Sequence, residues 1–193
     1  MTNKFYRSLS EASYSPELKR HKTTKRAPSN VPYVVDNIWE WLRPDNMPTR
    51  RLTVCASPFK ELALKYATSN DLLCSVRFAG DANVVQISQY QDAKLHPDIK
   101  KIPRIITKYL GQQWLDSELV SKQTHGKLFI PLLSKDEVST LLSTPELLDL
   151  KEQLLKSSTF WQDVHHVSSN YQLTDGELFF YAEDGYFLDI EEK

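Results

Sequence analysis

Apolar and polar positions alternate with a period of two in several segments of the chain. Leu52, Val54 and Ala56 alternate with Thr53 and Cys55, which predicts a strand because successive side chains of a strand point to opposite faces. The pattern predicts five further strands at about 4–9, 72–78, 84–87, 177–182 and 186–190.

Turn-forming residues separate two pairs of these predicted strands. Ala79-Gly80-Asp81 lies between the strands at 72–78 and 84–87, and Asp184-Gly185 lies between the last two strands. Alternating segments joined by a short turn are typical of hairpins, so we expect each pair to form one.

Helical periodicity follows the strand at residues 52–56. Ser57 occupies an N-cap position and Pro58 the first helical position, where the missing N–H of proline costs nothing. The spacing of the next apolar residues predicts one face of a helix of about three turns, formed by Phe59, Leu62, Ala63 and Tyr66.

Two other parts of the chain are predicted to be helical. A short helix capped by Asp36 ends at Pro44, and a mostly helical block covers residues 103–161. Ser134 and Glu137 in this block have the spacing of a capping box, Thr144-Pro145 opens another helix, and Lys127–Leu132 is a candidate strand. Strands followed by a helical block and then strands again predict an α+β fold.

The composition excludes several classes of protein. The chain has 193 residues, 24 Lys and Arg against 25 Asp and Glu, and a formal net charge of −1, unlike a dedicated nucleic-acid binder. Only 5 Gly and 10 Pro occur, which excludes low-complexity classes. No apolar run reaches the roughly 18 residues that span a bilayer, and the first residues lack a signal-peptide pattern. We expect a cytoplasmic protein, or one delivered to a target cell's cytoplasm without a cleavable signal, and no membrane partner.

Familiar nucleotide-binding and metal-binding motifs do not occur in the sequence. It contains no P-loop, no GxGxxG and no HExxH. Cys55 and Cys74 are too few for a disulfide scaffold and lack partners at zinc spacing. The adjacent His165 and His166 diverge on either a helix or a strand, so we expect no metal site.

Three residues occur in an order that carries more information than any of them alone. Arg7 lies in the first predicted strand, within Phe5-Tyr6-Arg7-Ser8-Leu9, Ser57 ends Cys55-Ala56-Ser57, and Glu177 ends Asp175-Gly176-Glu177. This order resembles the ADP-ribosyltransferase fold family, with its Arg on the first strand, a Ser-Thr-Ser strand leading into a helix, and a late acidic motif. The surrounding segments are similar to that family as well, namely 54–67, 75–85 and 177–188.

The resemblance implies a single ADP-ribosyltransferase-like domain over residues 1–193, with split antiparallel sheets, flanking helices and residues 103–161 as a helical insertion. Two positions depart from the family pattern. Cys55 and Ala56 replace the first Ser and the Thr, and Asp175 stands where Gln or Glu is usual. The family residue at the position of Asp175 is associated with the choice of acceptor, so this replacement leaves the acceptor open.

The resemblance also assigns roles to individual residues, with NAD as co-substrate. Glu177 stabilises the oxocarbenium-like cation formed at the ribose, Arg7 binds phosphate or ribose oxygens, and Ser57 holds Glu177 or caps its helix. Tyr66 stacks on nicotinamide, although on its residue pattern it is equally a core side chain. Asp175 belongs to the acceptor site.

The implied activity is transfer of ADP-ribose from NAD to a protein or nucleic acid, in a bacterial or phage toxin or effector with a neutralising antitoxin or immunity protein as partner. NAD glycohydrolase activity on the same fold is an alternative, and so is a non-catalytic interaction or inhibitor module. A nucleic-acid-binding module would depend on the basic run at residues 19–26, with Arg50 and Arg51 as further phosphate contacts. We rank it last because the run lacks interleaved aromatic residues.

Overall fold

The structure is a computed structural model that describes residues 3–65, 67–114, 123 and 125–192, with side chains omitted for 112–114. The chain divides into two compact units. The first unit contains the segments up to Thr24, from Asn46 to Ala93 and from Asp163 onward, and the second contains Lys25–Asp45 and Lys94–Gln162. The architecture is α+β, with antiparallel sheets and several helices.

The first unit holds the strands and one short helix, α2 (Lys60–Leu64). The strands are β1 (Phe5–Ser10), β2 (Val54–Ala56), β3 (Asp71–Phe78), β4 (Ala82–Ile87), β5 (Val164–His166), β6 (Leu178–Ala182) and β7 (Tyr186–Ile190). They form a three-stranded sheet in the order β1-β3-β7 and a four-stranded sheet in the order β2-β6-β4-β5. All neighbouring strands are antiparallel.

The six strands predicted at 4–9, 52–56, 72–78, 84–87, 177–182 and 186–190 are present with small shifts of their ends, but both predicted hairpins are wrong. β3 and β4 belong to different sheets, and so do β6 and β7. The two connecting turns contact each other, since the Ala79 N–H donates to Gly185 O at 3.0 Å and a Cβ on Gly80 would lie 2.2 Å from Asp184 Oδ2. Each turn therefore carries the chain from one sheet to the other.

The core of the first unit consists of apolar side chains from both sheets. Its buried members are Phe5, Ala56, Cys74, Val76, Val84, Leu178, Phe180, Ala182, Tyr186 and Leu188. Such burial stabilises the unit by about 25 cal/mol for each Å² of apolar surface removed from water. The sheets are therefore joined by packing as well as by the turns.

Helix α2 begins later than the sequence predicts. Phe59 is its N-cap and Lys60 its first residue, so the N-cap role predicted for Ser57 is wrong. Ser57 instead exchanges two backbone hydrogen bonds with Tyr6, at 2.7 and 2.8 Å. Pairing with β1 keeps Ser57 extended, which prevents it from starting a helix.

The second unit is helical. Its α-helices whose bounds lie within the described ranges are α1 (Tyr33–Leu42), α3 (Asp98–Trp114), α4 (Lys135–Leu141) and α5 (Leu148–Ser157). The capping box of Ser134 and Glu137 is confirmed at the start of α4, where each side chain accepts a hydrogen bond from the other's backbone N–H.

Two predictions in the second unit are wrong. Asp36 is not the cap of α1, because the helix begins at Tyr33 after Pro32 and Asp36 lies buried in its first turn. The candidate strand Lys127–Leu132 begins instead as the 3₁₀ helix Lys127–Phe129. The amide of Asn37 fixes this segment by donating to Leu128 O and Ile130 O.

Candidate active site

A cavity of about 280 Å³ in the first unit brings the predicted site residues together. Arg7, Ser57, Asp175 and Glu177 all line it, although they come from three separate segments of the chain. The fifth predicted residue, Tyr66, lies outside the described residues. We call this space the cavity.

Strand pairing explains why these residues meet. The backbone bonds between Tyr6 and Ser57 place the end of β2 beside β1, next to Arg7. In the second sheet β2 pairs with β6 so that Ala56 is opposite Leu178. Continuing that antiparallel register by one residue places Ser57 beside Glu177.

The backbone N–H and carbonyl of Glu177 are both bonded to residues at or just after the end of β4. Its N–H donates to Tyr90 O at 2.8 Å, and its carbonyl accepts from the Ile87 N–H at 3.0 Å. Glu177 is the last residue of what we call the acidic loop, residues 174–177. These bonds fix the point from which the Glu177 side chain extends.

The Glu177 carboxylate is held as well. Its Oε2 accepts a hydrogen bond from the backbone N–H of Ala93 at 2.8 Å and lies 3.8 Å from a terminal nitrogen of Arg50. The side chain of Glu177 is only 10% exposed. A carboxylate with a backbone donor and a guanidinium beside it is oriented before any ligand arrives.

Arg50 was predicted only as a further phosphate contact of a nucleic-acid-binding module, and its side chain is buried beside Glu177. Its side chain is 6% exposed and lies over the ring of Phe179, with the guanidinium carbon 5.7 Å from the ring centre. Arg51 is also buried. Both side chains are therefore buried, which disfavours the phosphate contacts that a nucleic-acid-binding module would make through them.

Cys55 lies at the wall of the cavity, where its side chain is exposed. Desolvation together with the neighbouring Glu177 nevertheless raises the pKa of the Cys55 thiol to about 12, outweighing the opposing effects of Arg50 and Arg7. The thiol therefore stays protonated at neutral pH and is a poor nucleophile.

The cavity lining carries more negative than positive charge. Among the described residues, the side chains of the lining with a formal charge at neutral pH are those of Arg7, Asp71, Asp92, Asp175 and Glu177. A concave wall of this charge favours a cationic ligand or a cationic part of a ligand. Apart from Glu177 and Asp175, the carboxylates were not predicted, because they come from segments with no motif.

The basic run at residues 19–26 has no helix or strand, and backbone and side-chain bonds attach its first residues to the first unit at two places. Lys19 pairs with Tyr186 through two backbone hydrogen bonds. His21 Nδ1 lies 3.0 Å from Leu52 O, and its Nε2 accepts from the Ala182 N–H. Burial lowers the pKa of His21, so this ring is a neutral anchor rather than part of the charged surface.

The adjacent histidines lie in β5, where His165 and His166 are both exposed. Within the ranges that the structure describes, no group of three or more His, Cys, Asp and Glu side chains is arranged to hold a metal ion. In the same ranges no helix combines the length and apolar character needed to cross a membrane.

Comparison with known proteins finds no relative of the chain. No protein-family model, no curated protein and no solved structure matches the chain significantly.

Proposed function

We propose that the protein is an ADP-ribosyltransferase that consumes NAD, and that its two-sheet unit is a variant of the ADP-ribosyltransferase fold. The observation that carries the proposal is the meeting of Arg7, Ser57 and Glu177 at one cavity. The sequence resemblance names these three residues in order, and nothing in their separate sequence contexts requires them to be neighbours.

Glu177 is the catalytic residue in this proposal. As the bond between ribose C1′ and nicotinamide breaks, its electron pair passes to the ring nitrogen and C1′ becomes cationic. The Glu177 carboxylate stabilises that cation, and the acceptor attacks C1′ and loses its proton. Because the cation exists mainly in the transition state, a carboxylate already oriented by Ala93 and Arg50 increases the rate rather than only the affinity.

Arg7 and the charge of the cavity lining both suit NAD as the ligand. The planar guanidinium of Arg7 suits the phosphate or ribose oxygens of NAD. The surplus of carboxylates suits the nicotinamide ring, which carries a positive charge until the bond breaks. Ser57 also lines the cavity and offers a hydroxyl to the ribose or to Glu177.

The test uses NAD labelled in its adenylate phosphate, incubated with the purified protein and a cell lysate. We expect label in a macromolecular fraction, and a rate lower by about 10²–10³-fold in Glu177→Gln. Glu183→Gln is the matched control, because Glu183 is exposed in the turn after β6 and has no place at the cavity.

Three other results would contradict the proposal in different ways. Free ADP-ribose without incorporation would identify an NAD glycohydrolase. Neither turnover nor binding of NAD would identify a non-catalytic interaction or inhibitor module. Equal rates in Glu177→Gln and the wild type would remove Glu177 from the chemistry. Nuclease and protease treatment of the labelled fraction then assigns the acceptor to nucleic acid or protein.

A role as a toxin or effector, with a neutralising antitoxin or immunity protein, belongs to the same proposal. Loss of host growth on expression of the wild type, but not of Glu177→Gln, would support it. Unimpaired growth despite active enzyme would contradict it.

A further inference from the structure

The acidic loop is held in place by a buried side chain that belongs to none of the predicted motifs. Gln86 lies in β4 between β5 and β6 and is 0% exposed. A buried amide needs partners for all of its polar atoms, since an unsatisfied one costs about 1–3 kcal/mol.

The partners of Gln86 are all backbone groups of the acidic loop. Its Nε2 donates to Thr174 O at 2.9 Å and to Gly176 O at 2.8 Å. Its Oε1 accepts from the Thr174 N–H at 3.1 Å. Only this orientation of the amide fits, because rotating it by 180° would place its oxygen against two carbonyl oxygens.

The loop is also pressed against the strand that carries Gln86. A Cβ on Gly176 would lie 1.4 Å from Ile87 O, so only glycine permits this approach. Asp175 is thus fixed between two residues bound by Gln86, and Glu177 follows directly with its own bonds to Ile87 and Tyr90.

We infer that Gln86 is the positioning residue of this site, aiming Asp175 and Glu177 into the cavity through its three bonds to the acidic loop. The kinetic part of this inference rests on the proposed function, whereas the structural part does not. Gln86 touches no reacting atom and acts only through the loop.

Hydrogen exchange on the ligand-free protein tests the structural part. In Gln86→Leu we expect the amides of Thr174 and Glu177 to exchange at least about tenfold faster, with the amides of β3 unchanged. The matched control is Ser88→Ala, which removes a side-chain bond from nearby Ser88 to Asp163 O and should leave the acidic loop as protected as in the wild type. Equal protection of the loop in Gln86→Leu and the wild type would overturn the inference.

The kinetic part is tested by measuring kcat and the KM for NAD separately. We expect Gln86→Leu to lower kcat about 10–100-fold with KM nearly unchanged, because a small displacement of a catalytic group acts mainly on the chemical step. A purely stabilising role would reduce the amount of folded protein and leave kcat per folded molecule unchanged, and that result would contradict the inference.

Gln86→Glu supplies a second readout that survives if the leucine variant does not fold. A carboxylate facing two carbonyl oxygens is repelled, whereas a protonated carboxyl donates to one of them. Both the loop protection and the activity of this variant, relative to wild type at the same pH, should therefore increase as the pH falls. A ratio that does not change with pH would overturn the inference. If the wild type itself shows no NAD turnover, the proposed function fails and the exchange results alone decide the role of Gln86.

Discussion

Each of the two units contains a buried amide that holds a loop, and the loops differ in what they carry. In the second unit the Asn37 side chain donates to Leu128 O and Ile130 O and accepts from the Leu133 N–H. Gln86 makes the same three kinds of bond to the acidic loop in the first unit. The loop held by Asn37 leads into helix α4, whereas the loop held by Gln86 presents carboxylates to a cavity.

A carboxylate of the second unit and one of the first also differ, in that one is fully enclosed and the other lines a cavity. Asp98 is 0% exposed and accepts hydrogen bonds from the Trp39 indole, the Ser158 hydroxyl and the N–H groups of Thr159 and Phe160. Glu177 also accepts a backbone bond, but it lines the cavity. Asp98 therefore serves stability, and Glu177 is available to a ligand.

This contrast shows that a buried polar group does not by itself identify a functional site. Both units use buried amides and carboxylates to satisfy backbone donors and acceptors. What distinguishes the candidate site from the Asp98 network is that its carboxylates line a cavity. Substitutions at residues of each kind should therefore have different consequences for stability and activity.

Asp98→Ala should lower the free energy of unfolding by about 3–5 kcal/mol, because four donors would lose their buried acceptor. Urea denaturation of the purified protein measures this. Asp149→Ala, at an exposed position in the first turn of α5, is the control and should have little effect. A loss below about 1 kcal/mol for Asp98→Ala would mean that the network around Asp98 is not structural.

The thiol of Cys55 should react with iodoacetamide at pH 8 about a thousandfold more slowly in the folded protein than in urea, because its pKa is raised to about 12. Peptide mass spectrometry at Cys55 measures the rate. Glu177→Gln should accelerate the reaction, since it removes a negative charge that raises this pKa, and Glu183→Gln should not. Fast alkylation of the folded wild type would place Cys55 in a different environment.

Protein stability should decrease as the pH falls below about 6.5, partly because of His21. Burial lowers the pKa of His21 from its ordinary value of 6.5, so the unfolded chain binds a proton at a pH where the folded chain does not. Protonation would also remove the acceptor of the Ala182 N–H, a loss on the order of 1 kcal/mol. His21→Gln should make urea unfolding less dependent on pH in this range, and an unchanged dependence would contradict the anchor role.

Asp175→Ala should change the free energy of unfolding by less than about 0.5 kcal/mol, because Asp175 is exposed at the cavity. If the proposed function holds, the same variant should lower the ratio of transferred to hydrolysed ADP-ribose. A destabilisation comparable to that of Asp98→Ala would show that Asp175 is structural and would remove the contrast between the two units.

The positions of secondary structure could be predicted well, but the pairing of strands could not. The turns at Gly80 and Gly185 were predicted from local residues, and turns do occur there. Each turn joins strands of different sheets, because β3 pairs with β1 and β7 while β4 pairs with β6 and β5. These partners are distant in sequence, so no local pattern could specify them.

The residues of the candidate site also divide into those that could be predicted from the sequence and those that could not. Arg7, Ser57, Asp175 and Glu177 could be named from their order in the chain, whereas Arg50, Ala93 and Gln86 could not. Arg50 and Ala93 lie in segments without a motif. The sequence around Gln86 did contain an indication that the sequence analysis did not use. Gln86 is a polar residue between Val84, Val85 and Ile87 in a buried strand, where an amide must have a partner.

Periodicity, capping residues and turn residues specify most of the strand, helix and turn positions, because these signals act over a few neighbouring residues. The pairing of the strands, and the division of the carboxylates into enclosed ones and ones that line a cavity, follow from the tertiary fold. Those outcomes depend on contacts between segments far apart in the chain, whose backbone bonds and buried charges must be satisfied together.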